Sequence, residues 1–262
     1  SSVWWAQTFE LVSQRLGIDM KKQTISIHPR VATTIGGIAT DEHGRAITGR
    51  WSRWFTGLYA AGDSACSGLH GAGLIAGNRL LDAMAGGAAA GEHAAAHAAK
   101  APHTGRAALE TALGAAEADL DFDMAAAEEG PVQRTGPLFA KLGDIMQSSM
   151  GLTRGAEGLE SALESLESLA DSAGKLHLDD SSRLFNTNLL EALRLKAGVR
   201  LAIASVRSAL SRTKSRGTHQ RTDFSEQDDE QLHHTLVDVE GNLSTLAIRK
   251  GVSGTWVLTP DA

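Results

Sequence analysis

The segment from Gly57 to Asp82 constrains the fold more than any other, because it joins an apolar run, a turn of small residues and the start of a helix. Gly57 to Ala61 is a short apolar stretch typical of a buried strand, and it leads into Gly62 and Asp63. A carboxylate directly after such a strand can accept hydrogen bonds from ribose or ribityl hydroxyls. Glycines further along allow a ligand to approach the backbone closely, namely Gly68, Gly71, Gly73 and Gly77. The segment therefore predicts a cofactor-binding turn.

A second motif lies towards the C-terminus. Residues 211–223 read SRTKSRGTHQRTD, and Asp228-Asp229 and His234-Thr235-Leu236 follow. Together with the first segment, this motif resembles the flavoprotein subunits of succinate dehydrogenase and fumarate reductase. It is also similar to L-aspartate oxidase, a near relative of that family. Their patterns are roughly GL(F/Y)AAGE, HGANRLxxNSLL and RxESRGAHxRxD with RDD and HT beyond it. Two motifs in the family's order are more specific than either one alone.

The region between the motifs is also similar to this family. Met146 to Arg154 and residues 181–190, SSRLFNTNLL, match its helical domain, which carries a comparable xSSxFNTDLL phrase. This part is closer to fumarate reductase than to aspartate oxidase. The resemblance therefore extends over nearly the whole chain.

The sequence contains no GxGxxG turn between a strand and a helix, which is the motif that holds a dinucleotide pyrophosphate. By the resemblance, the chain begins inside the end of the family's capping domain. We therefore expect a C-terminal portion of a larger assembly, with the N-terminal FAD-binding and capping half in the same precursor or in a separate chain.

Composition limits the remaining possibilities. The 262 residues are enough for a sizeable core in one or two domains. The formal net charge of -6 argues against broad nucleic-acid binding, and the single cysteine, Cys66, excludes an internal disulfide. Residues 72–99 are the most apolar long segment, but they include Arg79, Asp82 and Glu92 and are too polar to cross a bilayer.

The hydrophobic periodicity predicts helices and short strands in a definite order. Helices are expected at Trp4 to Leu16, Leu80 to Lys100, Arg106 to Ala127, Pro137 to Met150, Gly155 to Ser172 and Leu189 to Thr213, the last capped by Asn186 or Thr187. Strands are expected at Thr24 to Ile27, Ile35 to Thr40 and Arg45 to Ile47, and a hairpin at Leu232 to Val239 and Leu243 to Arg249. Two helices carry the predicted core stripes, Leu159, Leu163, Leu166 and Leu169 on one and Leu193, Ala197, Leu201, Ala204 and Ala209 on the other.

The expected fold class is α+β, as a fragment of an α/β family. Part of an FAD-binding domain with mixed strands is followed by an antiparallel helical bundle and a C-terminal hairpin. The expected boundaries are 1–23 for the end of the capping domain, 24–101 for the FAD-binding part, 102–217 for the helical domain and 218–262 for the extension.

The resemblance implies a set of FAD-binding positions. Asp63, after Gly62, falls where the family has a glutamate that binds the ribityl chain. Asn78, Arg79 and Leu80 fall on the family's Asn-Ser-Leu, whose backbone amides reach the flavin ring at a helix N-terminus, where the dipole favours anionic reduced flavin. Gly36 and Gly37 are the last two residues of the segment that corresponds to the family's PxxHYxMGG motif. Without the family match, Asp63 would be interpreted as a helix cap.

The implied dicarboxylate site departs from the family at two positions. The family binds its substrate with the histidine of PxxHYxMGG and the arginine of HGANR, and here Ala32 and Leu74 occupy those places. Arg30 and Arg79 are candidate replacement cations. His70 matches the family's HGANR histidine and is the candidate catalytic residue, although a structural histidine in a glycine turn fits equally well.

Arg212, Arg216, His219 and Arg221 form a basic cluster in the second motif. We interpret it as a structural network with Asp223, Asp228 and Asp229. None of the ten histidines has partners at a convincing metal spacing, so no metal site is predicted.

Three hypotheses follow. The first is the C-terminal part of an FAD-dependent oxidoreductase that transfers a hydride between FAD and a small dicarboxylic acid and passes electrons to an iron-sulfur subunit and quinone. Such a chain would be cytoplasmic, peripheral at the inner face of the cell membrane through partner subunits that include membrane anchors. The second is a paralogue with another substrate, and the third is a non-catalytic scaffold. A companion chain with GxGxxG would favour the first two.

Overall fold

A computed structural model describes residues 5–27, 31, 33–48, 53–71, 73–120, 133–180, 182–250 and 256–257. The chain forms two compact units, Ser1–Val31 and Ala32–Ala262. The first unit contains helix α1 (Ala6–Leu16), which ends at Gly17 as predicted. The predicted strand at residues 24–27 is wrong, because these residues have no regular structure and Ile27 is 84% exposed. Alternating β-branched residues form a strand only where another backbone pairs with them.

The second unit opens with four short strands in two small sheets. They are β1 (Ile38–Ala39), β2 (Arg45–Thr48), β3 (Arg53–Tyr59) and β4 (Ala65–Cys66). β1 and β4 are parallel, with Ile38 opposite Ala65, whereas β2 and β3 are antiparallel, with Ile47 opposite Trp54. A single 3-10 turn (Gly62–Ser64) lies between β3 and β4.

A buried carboxylate organises the turn before β2. Asp41 accepts hydrogen bonds from the backbone amides of His43 (3.0 Å) and Arg45 (2.9 Å) and from Trp54 Nε1 (2.9 Å). The amides donate to Oδ1, whereas Oδ2 accepts from Trp54 and also pairs with the Arg45 guanidinium, which lies over the Trp54 ring at 4.1 Å. Asp41 is only 3% exposed, and these contacts supply the partners that a buried charge requires. They hold the turn at residues 41–44 that leads into β2.

Two helices follow the strands, α2 (Asn78–Ala98) and α3 (Arg106–Asp119). α2 begins two residues before its predicted start. Ala90 is its only buried residue, which leaves its apolar side chains largely exposed. The run from Gly57 to Ala61 was expected to be buried, but Leu58 on β3 is 40% exposed. The expectation is fulfilled only at Ala60, which is 8% exposed, because the described elements cover only part of this run.

Three consecutive helices form the bundle, α4 (Thr135–Ser149), α5 (Ala156–Gly174) and α6 (Thr187–Ser211). Arg134, just before α4, pairs with Asp179, just after α5, at 2.5 Å. Thr135 Oγ1 lies 3.3 Å from Glu191 Oε2 in the first turns of α6. α4 and α6 therefore begin where α5 ends, so successive helices are antiparallel. The Asn186 side chain accepts a hydrogen bond from the Leu189 amide and caps α6 as predicted.

The main core lies between these three helices. The predicted stripe on α5 is confirmed, since Leu159, Leu166 and Leu169 are fully buried. The stripe on α6 was partly wrong, because Ala197 and Leu201 are exposed, whereas Ala209 is buried and Leu193 packs against the core. The observed buried face is Ala192, Leu195, Val199, Ala202, Val206 and Ala209. Apolar residues lie around most of α6, so the contact with its neighbours, rather than the period, selects the buried face.

α3 was expected to join this bundle but contributes no residue to its core among the described residues. Leu109 and Leu113 of α3 are more than half exposed.

The C-terminal hairpin is confirmed as β5 (His233–Val237) and β6 (Leu243–Ala247), with Thr235 opposite Thr245. A shorter antiparallel pair follows, β7 (Arg249–Lys250) and β8 (Trp256–Val257). Leu236 and Leu246 pack with Ala39 and Ile47, so the hairpin lies against the first strands of the unit. Arg212 Nη1 donates to His233 O and Thr235 Oγ1, both at 3.0 Å, and ties the hairpin to the end of α6.

Candidate functional site

The 3-10 turn and helix α2 pack closely and create one wall of a cleft. Gly62 has a φ of 62°, a left-handed conformation that glycine adopts without strain. A Cβ added to Gly62 would lie 3.1 Å from Ala83 Cβ on α2, so a larger residue would press the helix away. The small residue at this position therefore sets the distance between the turn and α2.

Gly36 and Gly37 place the opposite wall of the cleft close to the 3-10 turn. A Cβ on Gly37 would lie 2.6 Å from the carbonyl oxygen of Ser64, closer than real Cβ contacts allow. This approach lets β1 pair with β4, where the Thr40 amide donates to Cys66 O at 3.2 Å. The resulting cleft has a volume of about 40 Å³ and is lined by Thr33, Thr34, Ile35, Gly36, Gly62, Asp63, Ala65, His70, Leu74, Arg79 and Asp82.

Asp63 and Arg79 form an ion pair at the edge of the cleft. Arg79 Nε lies 2.8 Å from Asp63 Oδ1 and 2.7 Å from Oδ2, and Arg79 Nη2 also contacts Oδ2. The hydrogen bond from Arg79 lowers the pKa of Asp63, and the charge of Arg79 acts in the same direction. Both side chains are more than half exposed. Asp63 is thus an ionised acceptor that already has a cationic partner.

His70 and Asp82 form a second pair in the cleft. His70 Nε2 lies 3.2 Å from Asp82 Oδ2, and the two side chains are 18% and 22% exposed. His70 belongs to the loop before α2, whereas Asp82 is on α2 itself. Sequence reasoning did not identify Asp82. The available signal was its spacing, since it follows Arg79 by three positions and so lies on the same helix face.

The other predicted positions are only partly brought together. Asn78 and Leu80 lie in the first turn of α2 but do not line the cleft, and Leu80 is 69% exposed. Leu74 lines the cleft in the place that the resemblance gives to an arginine. Ala32 and Arg30 lie outside the described residues.

The second sequence motif forms a hydrogen-bonded junction away from the cleft-lining residues. The Arg221 guanidinium is bidentate to Asp223 (2.7 and 2.6 Å), and its Nη1 donates to the carbonyls of Ala209, Leu210 and Arg212 at the end of α6. This contact lowers the pKa of Asp223, which also accepts from the Ala156 amide at the start of α5 (3.0 Å). Arg216 pairs with Asp229. These contacts agree with a structural network.

Two further ionisable side chains of the junction, Lys214 and His219, are at least partly shielded from solvent. Lys214, which sequence reasoning did not single out, is 1% exposed and donates to the Gln231 carbonyl. Burial lowers the pKa of Lys214, and Arg212 and Arg216 add to that effect. Burial also lowers the pKa of His219 to about 4, so this ring is neutral at pH 7.

Among the residues that the structure describes, no group of three or more His, Cys, Asp or Glu side chains is arranged to hold a metal ion. Among the helices described, none combines the length and the apolar character that a membrane span needs.

Two protein families match this chain. Residues 6–80 match the FAD binding domain family, and residues 139–257 match the fumarate reductase flavoprotein C-terminal family.

Individual relatives match over most of the chain. The fumarate reductase flavoprotein subunit of Mycobacterium tuberculosis is 33% identical over 237 residues, 89% of this chain and 39% of that protein. The succinate dehydrogenase flavoprotein subunit of Coxiella burnetii is 33% identical over 247 residues, 90% of this chain and 40% of that protein. A solved quinol fumarate reductase from E. coli superimposes with a TM-score of 0.78 at 28% identity, over 97% of this chain and 41% of that chain. The chain thus spans about two fifths of the length of these relatives.

Proposed function

Because the chain belongs to the family of fumarate reductase and succinate dehydrogenase flavoprotein subunits, which are FAD-dependent oxidoreductases, we propose that it supplies the C-terminal part of such a subunit. In this proposal the subunit transfers a hydride between FAD and a small dicarboxylic acid. The observation that carries it is the cleft itself, where Gly36 from before β1, Gly62 and Asp63 from the 3-10 turn, His70 from the next loop and Arg79 from α2 converge.

The residues of the cleft fit a flavin nucleotide. A carboxylate offers about four acceptor positions, and Arg79 makes three contacts with Asp63, one to Oδ1 and two to Oδ2. Asp63 Oδ1 can therefore accept a further hydrogen bond, for example from a hydroxyl of a ribityl chain. The backbone amides of Arg79 and Leu80 are unpaired within α2 because they belong to its first turn, and they carry the positive end of the helix dipole, whereas the Asn78 amide donates to Ile75 O at 3.2 Å.

Bound FAD supplies the redox chemistry, and the chain supplies placement and charge. Asp63 would orient the ribityl chain, while the amides at the start of α2 would stabilise negative charge on the ring. Close contact of Gly37 with Ser64 keeps the cleft walls together. The cleft volume of about 40 Å³ is far below the roughly 300–1,000 Å³ of typical ligand pockets. We infer that an N-terminal FAD-binding and capping half completes the site.

A second candidate function is oxidation or reduction of a different acid, and Leu74 favours it. Leu74 lines the cleft where the family uses an arginine, and an apolar side chain cannot pair with a carboxylate. Arg79 is the cleft's permanent cation, but Asp63 neutralises it. A substrate with one carboxylate, bound through His70, is therefore compatible with this cleft.

The proposed partners follow from the same family. They are the N-terminal half, an iron-sulfur subunit that receives the electrons, and membrane anchor subunits that contact this chain indirectly. The proposed location is the cytoplasmic face of the cell membrane, reached through those subunits.

The test is to purify the native particle that contains this chain, record its visible absorption and determine the denatured mass of every component. We expect bound flavin together with the polypeptide that carries the N-terminal half. The proposal is overturned by a colourless particle without that polypeptide, which would leave the scaffold hypothesis.

A further inference from the structure

Asp82, which pairs with His70, is the charged residue of the cleft lining to which the proposed function assigns no task. The 3.2 Å separation of His70 Nε2 and Asp82 Oδ2 lies within hydrogen-bonding distance. Both side chains are about four-fifths shielded from solvent, unlike the more exposed Asp63–Arg79 pair. Water therefore competes less for the contact between His70 and Asp82.

Asp82 is held by a rigid element. It lies in the second turn of α2, and α2 is packed on the loop after β3 at two places. Gly62 is close to Ala83, and a Cβ on Gly86 would lie 3.7 Å from Ala61 Cβ. Asp82 is next to the first of these contacts and four residues before the second. Its carboxylate is consequently fixed relative to the cleft.

The loop that carries His70 is held from its other side. The Gly71 amide donates to Gly68 O and the Gly73 amide to His70 O, both at 3.1 Å. A Cβ added to Gly68 would lie 3.3 Å from His234 Nε2 of β5, so the hairpin lies directly behind the loop. The hairpin thus limits movement of the His70 backbone, and Asp82 contacts the ring.

We propose that Asp82 is a positioning residue for His70, which holds the Nε2–H of the ring and leaves Nδ1 for a ligand in the cleft. In a neutral ring, Nδ1 accepts a hydrogen bond. After the ring takes up a proton, Nδ1 donates to a carboxylate or carbonyl oxygen. The charged groups that line the cleft around His70 are Asp82, Asp63 and Arg79, and the last two neutralise each other.

The ligand's identity in this proposal rests on the proposed function, whereas the orientation of the ring does not. A carboxylate that fixes the tautomer and direction of a histidine is a common supporting arrangement in enzyme sites. Here it would assign a specific atom, His70 Nδ1, to proton exchange or to hydrogen bonding with substrate.

The experiment is NMR of the full chain with 15N-labelled histidine, which reports the proton on each ring nitrogen and its exchange with water. The His70 signals are assigned from their absence in H70Q. We expect the wild-type protein to show a slowly exchanging Nε2–H on His70. In D82A this proton should exchange about tenfold faster or become invisible, because its acceptor is gone. In D82N the proton should persist, since the amide oxygen still accepts.

The matched control is D179A, because Asp179 lies near another histidine, His177, outside the cleft (Nε2 to Oδ1, 3.7 Å). It should leave the His70 signal unchanged. A wild-type protein without a protected Nε2–H on His70 would overturn the proposal even if D82A failed to fold. So would a folded D82A in which the proton exchanges as slowly as in the wild type. Absence of flavin from the native particle would contradict the proposed function but leave this NMR signal in place, so the two failures are distinguishable.

Discussion

At the scale of single residues, Arg221 has the most consequential environment described. It is 3% exposed, and its guanidinium contacts three carbonyls at the end of α6 as well as Asp223. Asp223 in turn accepts from the first amide of α5. The positive charge therefore lies at the negative end of one helix dipole and the negative charge at the positive end of another. One ion pair satisfies backbone groups at both helix termini.

We predict that R221M lowers the free energy of unfolding by about 3 kcal/mol, because it leaves buried helix-end carbonyls and Asp223 without their donor. Urea denaturation followed by circular dichroism measures this loss. R106M is the control, since Arg106 pairs with Glu110 on an exposed helix surface and is expected to change stability by less than about 0.5 kcal/mol. Equal effects of the two substitutions would contradict the role assigned to Arg221.

At the scale of elements, the parallel pairing of β1 with β4 depends on the absence of a side chain at Gly37. Gly36 and Gly37 have the same φ of 152°, but a Cβ on Gly36 meets nothing within 4 Å. The two positions therefore share any backbone strain and differ in steric contact. This makes them a matched pair for measuring the close approach of β1 to Ser64.

We predict that G37A destabilises the protein by about 1–3 kcal/mol more than G36A, the range typical of overpacking. Hydrogen exchange of the Thr40 amide, which donates to Cys66 O, reports the same effect locally. That amide should exchange faster in G37A than in G36A. If both variants exchange alike, the strands tolerate a side chain at Gly37 and the cleft wall is less constrained than the structure indicates.

At the scale of the whole molecule, buried apolar surface is distributed unevenly within the second unit. The main core lies between α4, α5 and α6, whereas the core around β1 and the hairpin consists of Ala39, Ile47 and Leu246. α2 buries only Ala90 and exposes Leu80, Leu81 and Met84 by 64% or more. Local stability should follow this distribution, because protection from exchange depends on buried contacts.

We predict that amides in the middle of α6 exchange with solvent about 100-fold more slowly than those in the middle of α2, as hydrogen–deuterium exchange with mass spectrometry would show. Both helices exceed twenty residues, so their ends do not dominate the comparison. Similar rates in the two helices would mean that α2 unfolds only together with the bundle. α2 should also gain protection when the polypeptide of the proposed N-terminal half binds.

Much of the secondary structure was predictable because local signals agreed with one another. The leucine period of α5, the Asn186 cap of α6 and the alternating residues of the hairpin each indicated the correct element. Prediction was less successful where the local signal was ambiguous. Residues 24–27 have the composition of a strand but pair with no strand in the described part of the chain, and α6 has apolar residues on several faces.

The candidate site, like the secondary structure, was predicted from the sequence only in part. The motif around Asp63, His70 and Arg79 indicated which residues to consider, and the structure places all three along one cleft. The pairing of Asp63 with Arg79, sixteen residues apart, could not be inferred from spacing. Asp82 was missed because a single aspartate inside an apolar helix has many interpretations until its neighbour is known.

By itself, therefore, the sequence determined the family, the order of the helices and three of the polar residues that line the cleft, Asp63, His70 and Arg79. Composition, periodicity and motifs are local properties, and they suffice for these conclusions. Only the tertiary structure decided which charges pair, which face of α6 is buried and which loop supports His70. These outcomes depend on distances between segments remote in sequence, and such distances are set by packing of the whole unit rather than by any local pattern.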